Sequence, residues 1–237
     1  MKPLVWSCLT VTLLLGQWST DPAQALDLGN GIQPQVAVTP DGGAYVAWLT
    51  ESTFHIYLQR LDANGVPQWA QSGLLISSQP VDTWIAIHHL NLAVDTDGNA
   101  VLTTVDLRTG SWKIYAYKVS PDGTALWGAD GIALSASGHT NLSPRLAVLP
   151  ADNSVVVTWM DDYTALRLQR LDAAGNTLWQ NGGISVSDPN AALLNPEPLI
   201  SDDGLILLQY IRQTGSFPAT QNQVLVAKYD LNGTVVW

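Results

Sequence analysis

The stretch Leu58–Trp69, LQRLDANGVPQW, returns at Leu168–Trp179 as LQRLDAAGNTLW, with eight of twelve positions identical across an offset of 110 residues. Repetition on this scale restricts a chain more than composition does, because it demands one small unit stacked several times instead of one irregular core. Four units are visible, spanning Pro34–Ser77, Leu90–Ser135, Pro144–Ser187 and Pro196–Trp237, the last incomplete. Gly65, Gly123, Gly175 and Gly233 each stand four residues before Trp69, Trp127, Trp179 and Trp237, and successive tryptophans are 58, 52 and 58 residues apart. A second landmark lies some two dozen residues upstream in every unit: PDGG at Pro40, TDGN at Thr96, ADNS at Ala151 and DDGL at Asp202.

Within a unit the local chemistry predicts strands. AYVAWLT, AVLTTVD and SVVVTWM are short runs rich in Val, Thr and aromatics, which suit a pleated surface. HIYLQRLD, KIYAYKVS and LRLQRLD alternate apolar with polar, as a strand buried on one face does. Asp-Gly and Asn-Gly pairs between these runs accept positive φ and so mark tight turns. Four strands are expected per unit, the last carrying the Trp and the GLLIS, GIALS or GISVS ending. Four antiparallel strands in about 45–55 residues match a propeller blade. The expected fold is therefore all-β, a β-propeller with four recognisable four-stranded blades over residues 26–237. Two ways of finishing the ring stay open: further blades beyond these four, which the mid-blade stop at Trp237 favours, or closure by Leu26–Pro34.

The turn LDANGVPQW resembles the tryptophan-docking motif of quinoprotein propellers and the Asp-box turn of sialidase-like propellers. The whole pattern, DGG-x-YVAW followed by QRLD-x-NG and a Trp, is similar to a group of exported bacterial propeller repeat proteins that often carry a C-terminal sorting domain. That resemblance implies a fold and not a reaction. A Trp in this position suits the seam between neighbouring sheets, its faces buried and its N–H bonded at the edge.

Met1–Ala25 has a Lys near its start, an apolar stretch from Leu4 to Leu15 and an Ala23-Gln24-Ala25 ending, the layout of a cleaved secretory signal. Its apolar part is shorter than the roughly 20 residues a membrane span needs. An exported product is expected, whether extracellular, surface-held or periplasmic. Cys8, the only cysteine, falls in this segment, so the mature chain has no thiol for a disulfide, a nucleophile or a Cys-ligated metal. The net charge of −10, with no basic cluster, argues against nucleic acid as a partner.

Chemical candidates are sparse. Asp95, Asp97 and Asn99 offer oxygen ligands, but they occupy a position that is a plain turn in the other units, and Asp161-Asp162 and Asp202-Asp203 read the same way. No metal or cofactor is expected. Trp84, His88 and His89 in the long connection after the first unit are the weak candidates for ligand contact, with Arg212–Gln223 an equal alternative. The two glutamates of the mature chain, Glu51 and Glu197, have no motif around them, and G-x-S-x-G, H-E-x-x-H and P-loop patterns are missing. The sequence thus favours a non-catalytic secreted or cell-surface module that binds or scaffolds protein or glycan. The alternative is a propeller enzyme, either one acting on glycans or a quinone-dependent dehydrogenase.

Overall fold

The computed structural model of the chain describes residues 25–81, 90–135 and 138–237. Four antiparallel meanders follow one another along it. The first holds β1 (Ile32–Val38), β2 (Ala44–Leu49), β3 (Ile56–Leu61) and β4 (Leu74–Ser77); the second β5 (Asn91–Val94), β6 (Ala100–Asp106), β7 (Lys113–Val119) and β8 (Ile132–Ala133). The third holds β9 (Asn141–Val148), β10 (Val155–Asp161), β11 (Ala165–Leu171) and β12 (Ile184–Ser187). The fourth has three strands, β13 (Ala192–Ile200), β14 (Ile206–Thr214) and β15 (Gln221–Tyr229). Leu26–Pro34 does not join that last sheet, since from Ile32 onward it is β1, paired to β2 of its own blade. Among the described residues no helix is long and apolar enough to cross a membrane.

Blades stack face to face through three apolar seams. Tyr45, Leu49 and Leu58 of the first blade meet Leu102, Tyr115 and Tyr117 of the second. Val101, Val105 and Ile114 of the second meet Val157, Trp159 and Leu171 of the third. Val156, Leu166 and Leu168 of the third meet Leu193, Ile206 and Leu208 of the fourth. Each such side chain, taken fully out of water, contributes about 1.5–3 kcal/mol before chain entropy is counted.

The twinned phrase is explained residue by residue. Leu58, Leu61, Leu168 and Leu171 are core. Gln59 and Gln169, fully buried, each accept the backbone N–H of the following Trp69 or Trp179 at 3.2 Å and donate to Ala70 O or Gln180 O. Arg60 and Arg170 reach back to Asp41 and Asp152 of the first turn. Lys118 and Lys228 do the same with Asp95 at 2.8 Å and Asp203 at 2.6 Å, so one ion pair per blade ties the first turn to the third strand. In the second blade both partners are buried, and Lys118 and Asn99 overcome the desolvation that would raise the Asp95 pKa, leaving it lowered. Asp62 and Asp172 each receive two backbone N–H groups across the second turn.

The tryptophans do not enter the fourth strand as the pattern suggests. After each one the chain turns again, at Ala70–Gly73, Gly128–Gly131 and Gln180–Gly183, before β4, β8 and β12 begin. The rings instead lie across the seam on the second turn of the next blade. Trp127 Nε1 donates to Ala173 O and Trp179 Nε1 to Leu231 O, both at 3.2 Å. Gly123, Gly175 and Gly233 sit against Trp69, Trp127 and Trp179; a Cβ would make ordinary contact at Gly123 but has no room at Gly175 and Gly233. Trp237 is 60% exposed and takes no part in such a contact among the described residues.

Candidate functional site

The first strand of each blade touches the first strand of the next, β1 to β5, β5 to β9 and β9 to β13, which makes these four the inner wall. Register assigns Gln35, Asn91, Arg145 and Glu197 the same place on that wall, opposite Ala47, Thr103, Thr158 and Gln209 of the second strands. Three of the four follow a bulge. The pairing slips just before Gln35, Arg145 and Glu197, where Gln33, Ser143 and Asn195 have φ of 52°, 54° and 52° and each precedes a proline. Left-handed backbone at a residue other than glycine costs about 1–3 kcal/mol, and bulges commonly serve to re-aim a side chain beside a site. Proline suits the position because it has no N–H to pair.

Most carboxylates of the molecule are already engaged in holding turns and strands. Asp41, Asp95, Asp106, Asp152, Asp161, Asp188 and Asp203 are in ion pairs, and Lys228 with Ser201 holds Asp203 at a pKa of about 2. Asp62, Asp122, Asp172 and Asp230 accept backbone N–H groups in second turns, and Asp97 accepts from Asn153 Nδ2. The oxygens of Asp95 are bonded to Asp97 N, Asn99 N, Asn99 Nδ2 and Lys118, so the DTDGN segment is a cross-linked turn. Glu197 differs. It is exposed on the inner wall, and its carboxylate has no hydrogen-bond or ion-pair partner among the described residues.

Polar groups also gather where the inner strands begin. His139 Nδ1 lies 2.7 Å from Asp161 Oδ1 and 3.3 Å from Asp162 Oδ2, while Arg167 Nε donates to Asp161 Oδ2 at 2.7 Å. Thr140 N donates to Asp162 Oδ1 at 2.6 Å. Lys113, buried on the neighbouring blade, has its pKa lowered by desolvation, with Asp161 and Asp162 opposing that fall. His139, Asp161 and Asp162 are close enough to share a cation, but Arg167 and Lys113 already balance the two carboxylates. Such a charge-balanced cluster suits hydrogen-bond exchange with a polar ligand better than cation capture.

Beside this cluster opens a cleft of about 590 Å³ between the third and fourth blades, lined by Tyr163, Asp188, Asn190, Gln213 and Gly215 among others. Tyr163 and Thr164 form its near wall, on a turn in which Asp162 and Tyr163 have φ of 50° and 57°. Its far wall is the start of the Arg212–Gln223 insertion, which extends β14 and β15 into a hairpin arm. One of the two surfaces weighed from sequence thus borders the cleft, whereas Trp84, His88 and His89 lie outside the described residues. Gly123, Gly175 and Gly233 stay in the seams with Trp69, Trp127 and Trp179.

Neither protein-family models nor curated protein sequences match the chain. Solved structures do. An endo-1,5-alpha-L-arabinanase from Thermotoga petrophila RKU-1 matches with a TM-score of 0.50 and 15% identity over 86% of this chain and 58% of that one. An alpha-L-arabinofuranosidase from Fusarium graminearum, solved with an iminosugar inhibitor, matches with a TM-score of 0.53 and 11% identity over 87% of this chain and 68% of that one. At these identities the likeness is one of fold, and the chain is a β-propeller. It spans 58% of the length of the arabinanase. The expectation of a non-catalytic binding or scaffold module is corrected by these comparisons, because the matching propellers are named as glycan-cleaving enzymes, which backs the glycan-acting alternative. Sequence patterns pointed the other way because a propeller site draws single residues from several blades and so leaves no contiguous motif.

Proposed function

We propose that this chain is an exported, glycan-acting β-propeller enzyme that hydrolyses glycosidic bonds at its inner wall. The observation that carries this is Glu197, an unengaged carboxylate beside Arg145 on the wall, in a molecule whose aspartates are mostly committed to structure. Glycoside hydrolysis adds water across the C–O bond, and a carboxyl group must protonate the leaving oxygen while a carboxylate activates the water or attacks the sugar. Glu197 is assigned proton transfer. Asp162, half-exposed on the turn that leads into the cleft, is assigned as the second carboxylate, and Tyr163, Asn190 and Gln213 supply an aromatic face and amide groups for sugar rings.

Purified protein is expected to release reducing sugar from at least one member of a panel of arabinan, arabinoxylan, galactan and galacturonan oligosaccharides. Failure to cleave any of them, with no binding by calorimetry, would remove the enzyme assignment. Met1–Ala25 is assigned to export, and the likeness to exported bacterial repeat proteins supports it. Mass spectrometry of the secreted product should show Leu26 as first residue, and retention of Cys8 would contradict cleavage.

A further inference from the structure

Six arginines lie among the described residues, and five end on an aspartate. Arg145 does not. Among the described residues no carboxylate lies within ion-pair distance of it, and its one hydrogen bond there is from Nη1 to the carbonyl of Pro144 at 3.0 Å. It is half-buried, and desolvation pushes its pKa down, with Glu197 of the next blade the single charge opposing that fall. A guanidinium carries five N–H donors in a planar fork that fits a carboxylate in two parallel bonds. Partial withdrawal from water without such a partner carries a cost that the rest of this molecule avoids at every other arginine.

The surroundings fit a ligand better than a structural brace. Arg145 follows the Ser143–Pro144 bulge that re-aims the inner strand, and Gln35 and Asn91 hold the equivalent places on the first and second blades. Asn91 Oδ1 accepts from Leu146 N at 2.9 Å, and among the described residues its NH2 group has no acceptor, which suits it to a sugar hydroxyl. The wall therefore offers, at one level, a cation with open donors, two amides and the Glu197 carboxylate.

We propose that Arg145 is the carboxylate-binding group of a subsite on this wall, so that the glycan handled here carries uronic-acid residues. This rests on the glycan-acting assignment and narrows its substrate class. The overall charge of −10 repels anions at long range, but beyond about 8–10 Å that repulsion is screened at physiological salt, and a bidentate contact acts well inside this distance.

The test is calorimetric titration of the whole chain and of Arg145→Gln and Arg145→Lys with D-galacturonic acid, its methyl ester, D-galactose, acetate and neutral arabino-oligosaccharides. Galacturonate should bind saturably and at least tenfold tighter than the ester or galactose. Arg145→Gln should weaken it at least tenfold and Arg145→Lys by less, with tryptophan-monitored unfolding unchanged in both. Acetate binding as tightly as galacturonate would overturn the sugar assignment. Neutral oligosaccharides binding while galacturonate does not, or equal galacturonate affinity in Arg145→Gln, would overturn the inference and leave the glycan-acting assignment standing. Binding of no sugar at all would overturn both.

Discussion

Gly175→Ala is expected to destabilise the protein by about 2–4 kcal/mol, against about 1 kcal/mol for Gly110→Ala. Both glycines have left-handed backbone, with φ of 93° and 81°, so both substitutions carry the same conformational penalty. They differ in what a Cβ would meet. At Gly110 nothing lies within 4 Å, whereas at Gly175 the new carbon collides with Ile132 Cδ1 and comes within 2.8 Å of Trp127 Cδ1. Trp127 is buried and fixed by its bond to Ala173 O, so the ring can give way only by loosening the seam between the second and third blades. Thermal unfolding should show a fall in Tm of about 5–15 °C for Gly175→Ala and a few degrees for Gly110→Ala. Equal losses would mean that the tryptophan contact contributes nothing beyond the turn itself.

That contact was legible in the sequence because its parts repeat in identity. A Gly four residues ahead of a Trp in every unit is the trace of one geometric requirement, met at three seams where the Trp of one unit lies against the Gly of the next, and LQRLD in the first and third units is the trace of a core, a glutamine clamp, an ion pair and a turn cap. The route of the chain after each Trp was less legible, since AQSG, GADG and QNGG read equally well as part of a strand and only the pairing with β3, β7 and β11 separates turn from strand.

The inner wall was hidden for the opposite reason. Gln35, Asn91, Arg145 and Glu197 repeat in position but not in type, appearing as PQV, LNL, PRL and PEP in the sequence. Searches for repeats discard such a column as variation. Yet a position that stays polar while its identity changes from blade to blade, at the head of the innermost strand, is what a ring of unlike ligand contacts would leave behind. Likewise Asp161-Asp162 reads as a turn, yet only Asp162 lies in it, Asp161 ending β10, and His139, Arg167 and Lys113 reach the pair from other segments.

Glu197→Gln should reduce glycan hydrolysis by about 10²–10⁴-fold, the usual contribution of a positioned acid or base. The substitution preserves shape and removes only the capacity to exchange a proton and to carry charge. Because the carboxylate has no bonded partner among the described residues and is exposed, stability should change by no more than about 0.5 kcal/mol. Loss of activity without loss of stability is what separates proton transfer from a bracing role. Asp203→Asn supplies the contrast, since it removes a carboxylate bonded to Lys228 and Ser201 on the fourth blade's first turn and away from the wall, and hydrolysis per folded molecule should survive. If Glu197→Gln retains more than a tenth of the rate while Asp162→Asn abolishes it, the proton-transferring group belongs at the rim beside His139 and not on the wall. If neither change matters, the chemistry lies elsewhere in the ring.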